Sequence, residues 1–233
     1  HTFWQYITIL RLKLWITTVS PYRRAAVIYI VWEGSLSEYP INSATWQAGL
    51  TMQTFIERLT DHKEAMQRRY QTVELTEDEK KRFAALKKPV KMVVVTEEWC
   101  TDCLMVLPIL AKIAAAAAQM ELRIYVRREW PQLRDYYTSQ DIHSIPVASF
   151  LDENFKVISC WIERPAAGHT WLANWKGQHP EIEITRKRAD LSSDEKRAML
   201  KNVMDQLLVD MEAAYDADLQ SETVCEVANL LGV

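Results

Sequence analysis

The stretch Val90-Lys91-Met92-Val93-Val94-Val95-Thr96 constrains the fold most. Four of its seven residues are valine, and the apolar positions run together instead of alternating. Such a run reads as a strand covered on both faces, so it demands layers above and below it. The downstream sequence supplies them. Thr101 to Met120 is expected to be a long helix, with its alanine run, Ala114 to Ala118, at the top of the propensity scale. Leu122 to Val126 reads as a second strand, ending at Arg127 and Arg128. Pro131 to Thr138 reads as a short helix with proline in its first turn. Val147 to Leu151 and Phe155 to Ile162 read as a hairpin turning at Asp152-Glu153-Asn154, with Asn154 taking the positive φ. The order β-α-β-α-β-β-α implies parallel strands joined by crossover helices, then an antiparallel pair. Chemistry on such a sheet sits beyond the carboxyl ends of the parallel strands. That gathers residues 96–103, Arg127, Arg128 and the loop before Val147 at one edge.

Helices flank this core. Met52 to Tyr70 reads as one helix with Phe55, Ile56, Leu59 and Met66 on its apolar face. Thr76-x-x-Glu79 and Ser192-x-x-Glu195 are capping boxes. The first opens a helix to about Leu86. The second opens one to about Tyr215, with Met199, Leu200, Val203, Met204, Leu207, Leu208 and Met211 on its apolar face. Ala166 to Trp175 and Ser221 to Leu231 complete the set, the last stopped by Gly232.

The first 51 residues differ in composition. They carry four of nine Trp, none of eight Met and no Asp. Their charge is +2, from four basic and two acidic residues, which leaves −5 for the remainder of a chain whose net charge is −3. Uncharged runs there (Trp4 to Leu10 with its flank, Leu14 to Tyr22, Ala25 to Trp32) reach about ten residues, against the ~20 a membrane helix needs. The Ala25 to Trp32 run behind Arg23-Arg24 itself holds no small-x-small cleavage site. We therefore expect Met52 as the natural start and residues 1–51 as upstream sequence. The acidic balance argues against nucleic acid as a partner, and the short runs against a membrane. The domain reading is 1–51 atypical, 52–88 helical, 89–178 the sheet domain, and 179–233 a helical extension.

Trp99-Cys100-Thr101-Asp102-Cys103 lies between the first strand and the long helix. Residues i and i+3 on a helix stand about 5–6 Å apart, which suits a disulfide. The first cysteine also sits among unpaired N–H groups at the positive end of the helix dipole, which favours its thiolate. Four cysteines in 233 residues are too few for a secreted disulfide scaffold. A zinc site would need two more ligands, whereas Cys160 and Cys225 stand alone and His169 and His179 are ten apart. Cys160 and Cys225 are expected to be small buried hydrophobes, and His62 and His143 surface residues. Trp161, Trp171 and Trp175 are expected to pack the C-terminal extension onto the core.

From Val90 to Ala167, about a third of the chain, the sequence resembles the thioredoxin family. Glu98-Trp99-Cys100-x-x-Cys103 matches its active-site stretch, normally Trp-Cys-Gly-Pro-Cys. Pro108 matches its helix-kinking proline, and Ile145-Pro146 before Val147 matches its cis-proline dipeptide. The resemblance implies an α/β thioredoxin-like fold, a central mixed sheet flanked by helices, with helices added at both ends. It implies thiol–disulfide exchange without a bound cofactor or metal. Cys100 would attack a client disulfide and Cys103 would resolve the mixed disulfide. Trp99, Thr101, Asp102, Ile145 and Pro146 would form the surrounding surface, with 162–166 as a third client-facing loop. Clients would be disulfide-containing proteins, the electron donor a thioredoxin-reductase-type enzyme, and the compartment the cytoplasm. The alternative is a redox-inactive binding module of the same fold.

Three departures from the family set further expectations. Val94 stands where a buried acid usually helps Cys103, so that task is unfilled or passes to Asp102, Glu97 or Glu98. Asp102 beside Cys100 should disfavour the thiolate and make the pair reducing, unless Arg127 and Arg128 oppose it. The loop Arg164-Pro165-Ala166 lacks the glycine often found there.

Overall fold

The computed structural model describes residues 38–233; the uncharged runs between Trp4 and Trp32 lie outside the described residues. Four strands form one mixed sheet: β1 Val90–Thr96, β2 Met120–Val126, β3 Val147–Leu151 and β4 Val157–Ile162, in the order β2-β1-β3-β4. β1 and β2 are parallel, with Val90 opposite Met120 and Thr96 opposite Val126. β3 runs antiparallel to β1, and β4 antiparallel to β3. The sheet therefore has one parallel pair. Val147 lies opposite Val95, which brings the loop before β3 to the carboxyl end of β1.

β1 is buried on both faces. Met92 and Val94 face one core, with helices α3 (Lys63–Thr72), α4 (Glu77–Ala84), α5 (Thr101–Ala116) and α10 (Gln220–Leu231). Val93 and Val95 face a second core holding Leu133, Tyr136 and Tyr137 of α6 (Pro131–Thr138). Helix α7 (Ala166–Gln178) comes after β4, then α8 (Glu181–Lys187) and α9 (Ser193–Ala214). A π-helical turn, Tyr215–Leu219, joins α9 to α10. No described helix is long and apolar enough to cross a membrane.

Several sequence expectations are corrected. The helix expected from Met52 to Tyr70 is two, α2 (Met52–Arg58) and α3. Leu59 is extended, His62 is left-handed at φ 54°, and the break is held from outside. The Thr60 N–H and hydroxyl both donate to Glu98, at 3.1 and 2.9 Å. Helix α5 ends at Ala116, within the alanine run, because the chain must turn for Met120 to pair with Val90; sheet pairing overrides propensity. In the hairpin, Phe155 (φ 63°) takes the positive φ in place of Asn154. The Asp152 carboxylate accepts the N–H groups of Asn154 and Lys156, and Phe155 packs edge-on against Trp46. Met199 is 57% exposed, so the buried stripe of α9 is the narrower Leu200, Leu207 and Met211. Cys225 is exposed on α10, not buried. Helix α8 has no counterpart among the elements expected from sequence. Both capping boxes form, as does the left-handed Gly232 stop.

The change in composition at residue 51 marks no break in packing. Tyr39, Ile41 and Trp46 are buried in the second core, Trp46 at the end of the short helix α1 (Ser43–Trp46). Leu50 forms a two-bond antiparallel bridge with Ile124. Between them, Gly49 lies against β2, where an added Cβ would come within 2.6 Å of the Tyr125 ring and 2.7 Å of Arg123 Cβ. Tyr125 cannot yield easily: it is fully buried, its hydroxyl donates to the Trp46 carbonyl, and Trp130 packs on its ring. Gly49→Ala should therefore cost about 1–3 kcal/mol, the usual range for overpacking. It should lower the urea midpoint without changing the slope.

Candidate active site

β1 ends at Thr96, and the buried Glu97 begins the turn into α5. Cys100 is the N-cap of α5, with extended φ and ψ of −87° and 119°. A sulfur occupies the place of the usual capping oxygen: Cys100 Sγ accepts the Cys103 backbone N–H at 3.3 Å. It also donates to the Ile145 carbonyl at 3.5 Å. The Ile145–Pro146 peptide bond is cis, as the resemblance implied. Cys100 and Cys103 are free thiols, both buried, with Cys103 the deeper. Trp99 is 56% exposed beside them and Thr101 half-buried, while Asp102, Ile145 and Pro146 are buried. All seven site residues named from the sequence thus meet at one end of the sheet.

The two thiols are driven apart. The bond offered by the Cys103 side chain lowers the Cys100 pKa, aided by the N–H groups of Cys103 and Asp102 and opposed by burial and the Asp102 charge. Burial, then the neighbouring Cys100, holds the Cys103 thiol well above its usual value. The pair is therefore divided into an ionisable outer sulfur and a protonated inner one. Thr96 sets a hydroxyl beside Cys103 that favours its thiolate, without reaching regular hydrogen-bond geometry. Val94, where the family usually has an acid, is wholly apolar core.

The acids proposed for that task are engaged elsewhere. Glu97 accepts the Arg128 N–H at 2.7 Å and its guanidinium at 3.0 Å. Glu98 pairs with Arg128 at 2.8 Å and with Thr60. Arg127 donates to the His143 carbonyl, which steadies the loop before Pro146. Neither arginine is a free solvated charge. The expected penalty of Asp102 on the thiolate exists, but it is outweighed. Asp102 is not a bare carboxylate, because Arg164 grips both its oxygens, at 2.8 and 2.5 Å.

Sequence reasoning missed Arg164 as the partner of Asp102, although it named the loop. The missing glycine of that loop is replaced one residue earlier than expected, by Glu163 at φ 67°. Its N–H donates to the Pro146 carbonyl at 2.7 Å and fastens the loop to the site. A second omission is a buried hydroxyl chain: Tyr39 to Tyr137 at 2.8 Å, Tyr137 to Ser149 at 2.7 Å, and Ser149 to Cys160 at 3.0 Å. Cys160 is therefore hydrogen-bonded rather than a plain hydrophobe, and burial pushes its thiol up. Among the described residues, no third His, Cys, Asp or Glu joins a pair to form a metal-binding cluster.

A thioredoxin family model matches residues 49–176, more than half of the chain. The chain belongs to the thioredoxin family. Two solved structures resemble it over nearly their whole length. One is a protein of unknown function from Pseudomonas aeruginosa, 19% identical, with a TM-score of 0.56, covering 82% of this chain and 98% of its own. The other is an HIV epitope-scaffold, 20% identical, with a TM-score of 0.53 and the same coverage. At that identity they share the fold, and the likeness reaches beyond the matched 49–176 into the flanking helices. No curated protein is significantly similar in sequence.

Glu98 couples this turn to the helices before it. The Thr60 N–H, the Thr60 hydroxyl and then Arg128 hold its carboxyl down at about 2, against an ordinary 4.5. A depressed carboxyl stabilises the fold fully above its unfolded pKa and loses that contribution as pH falls through its folded pKa. The contribution should be complete above about pH 4.5 and fade towards pH 2. Glu98→Gln should therefore flatten the acid limb of stability between those values, read by denaturation at stepped pH.

Proposed function

We propose that this protein is a dithiol–disulfide oxidoreductase that reduces protein disulfides through Cys100 and Cys103. The observation that carries the reading is the division of the pair. An outer sulfur is capped by a helix N–H and faces the Ile145 carbonyl, while an inner thiol stays protonated behind it. That is the asymmetry a two-step exchange requires.

In the first step the Cys100 thiolate attacks one sulfur of the client disulfide, and the other client sulfur leaves as a thiolate and takes up a proton. A mixed disulfide joins Cys100 to the client. In the second step Cys103 gives up its proton and attacks Cys100 Sγ, forming the Cys100–Cys103 disulfide and releasing the second client sulfur. Two electrons pass to the client, and the enzyme is left oxidised. A thioredoxin-reductase-type donor would then return two electrons to the pair. The lowered Cys100 pKa helps attack, and the mixed disulfide removes the Cys100 charge that opposes Cys103 ionisation, leaving burial as what the resolving step must overcome.

Trp99 and the Ile145-Pro146 loop would hold the client. An extended segment could pair with the backbone before Pro146, with Trp99 as an apolar rim and Thr101 beside the reacting bond. Proline brings no N–H near the sulfurs. A reducing, cytoplasmic setting belongs to this reading, because there a Cys-x-x-Cys turns over instead of persisting as a structural disulfide.

Reduction of insulin by the purified chain with dithiothreitol as electron source tests the proposal. Cys100→Ser should abolish the protein-dependent rate. Cys103→Ser, reduced and then freed of dithiothreitol before insulin is added, should accumulate a mixed disulfide visible on non-reducing gels. A wild-type rate equal to that of Cys100→Ser would leave the alternative, a redox-inactive binding module.

A further inference from the structure

Arg164 has no place in the exchange described above, yet it is among the most firmly held side chains near the site. Its Nε and Nη2 clasp both oxygens of Asp102, and Nη2 also reaches Glu163 at 2.8 Å. Its Nη1 lies 3.4 Å from His169 Nδ1 on α7. The side chains of Arg164 and Asp102 are only 12% and 10% exposed, so water screens the pair weakly. Two parallel N–H bonds also fix the carboxylate in direction as well as in place.

The position of Asp102 gives this clasp its consequence. Asp102 lies in the first turn of α5, two residues beyond Cys100. It draws on the same positive helix end that favours the Cys100 thiolate. Unscreened, it would be a fixed negative charge beside a sulfur that must itself become negative. We propose that Arg164 is a positioning residue for thiol–disulfide exchange, which turns and neutralises Asp102 so that the Cys100 thiolate does not face a free carboxylate. The inference rests on Cys100 being the reacting thiol, as proposed above.

The charges around the clasp are few. Asp102 and Cys103 belong to α5, Glu163 to the loop after β4 and His169 to α7. Tyr215, buried in the π-helical turn, lies within reach of the charges of Asp102, Arg164, Glu226 of α10 and Arg69 of α3, and burial raises its own pKa. With Arg164 present, Asp102, Glu163 and Arg164 sum to −1; without it, they sum to −2. No other cation is bonded to Asp102 among the described residues.

The test is the pH dependence of Cys100 alkylation by iodoacetamide in the reduced full chain. It is tracked on the Cys100 peptide by mass spectrometry, because the exposed Cys225 also takes up the reagent. Arg164→Gln should raise the midpoint by about one pH unit, roughly a tenfold loss of thiolate below it. Arg164→Lys should leave it within about a third of that shift, since the charge is kept. Asp102→Asn should lower the wild-type midpoint by less than Arg164→Gln raises it, because the carboxylate is already screened. In the Asp102→Asn background, Arg164→Gln should have less than half its wild-type effect.

An unchanged midpoint in a folded Arg164→Gln chain, checked by circular dichroism, overturns the proposal. So does an equal shift in both backgrounds, which would mean that Arg164 acts on the sulfur directly. If Arg164→Gln does not fold, Asp102→Asn alone decides: a fall of a full unit or more would mean that Asp102 was never screened. The alkylation needs no client. Shifts as expected in a chain that reduces no insulin would sink the oxidoreductase reading and leave only the screening of Cys100 by Arg164, without a role in exchange; insulin reduction with an unmoved midpoint would keep the oxidoreductase reading and overturn the role of Arg164.

Discussion

The hydrogen bond from the Cys103 N–H to Cys100 Sγ depends on where α5 begins, and the rest of the structure fixes that point. β1 can end only at the sheet edge, because it is buried on both faces and paired on both sides. Thr96 accepts the Arg127 N–H there, so the last residue of β1 is tied to the chain leaving β2. Five residues later the chain must already be helical, since Leu104 to Leu110 are needed in the first core. Cys100 falls at the one position that is still extended and yet faces the open N–H groups of the helix. A shift of one residue would turn Cys103 away from the second core and Cys100 out of the cap. The two apolar cores thus set the register of the chemistry.

Placing a thiolate there brings a difficulty of charge. Glu97, Glu98 and Asp102 lie within three residues of Cys100, and all would oppose its ionisation if free. All three are answered: Glu97 and Glu98 share Arg128, Glu98 also accepts from Thr60, and Asp102 is held by Arg164. The partners come from three distant segments, so the acids that crowd the sulfur also tie α2–α3, β2 and the loop after β4 to the active-site turn. Each pair on an exposed surface would contribute little. Here the buried carboxylates of Glu97 and Asp102 make loss of a partner costly.

What could be read from sequence was what local pattern determines. The strands were legible because unbroken apolar runs admit few alternatives, and two of the four match residue for residue. Capping boxes at Thr76 and Ser192 were legible because both partners lie within four residues. The site residues were legible because the family resemblance fixes their order along the chain. What was hidden depends on partners far away. The break after Leu59 is held by Glu98, 38 residues beyond Thr60. Arg164 meets Asp102 across 62 residues, and neither residue announces the other. Phe155 adopts a positive φ for its packing on Trp46, against the preference that favoured Asn154. The end of α5 within an alanine run is the same lesson: a sheet register outranked the best helix formers in the chain.

The C-terminal helices look in sequence like an extension past the sheet domain, but the hydrogen bonds make them part of the site. Glu226 of α10 is buried, and its carboxyl is raised by that burial despite two good donors. One donor is the Trp161 indole N–H on β4, at 2.8 Å. The other is the Ala166 N–H, also at 2.8 Å, in the first turn of α7. Pro165, at the N-cap of α7, has no side chain to satisfy that turn, so the cap is supplied from 60 residues away. Without α10 a partly buried amide and an indole N–H would both lose their acceptor, at about 1–3 kcal/mol each where water cannot replace it. Both groups flank residues 162–165, the segment that carries Glu163 and Arg164. From the other side, the buried Tyr215 lies close enough to Asp102 and Arg164 to feel both charges. The loop that carries Arg164 is therefore held between the sheet and the terminal helices, and a core trimmed to residues 89–178 would keep both cysteines, Asp102 and Arg164 while losing Glu226, the acceptor that fixes both ends of that loop.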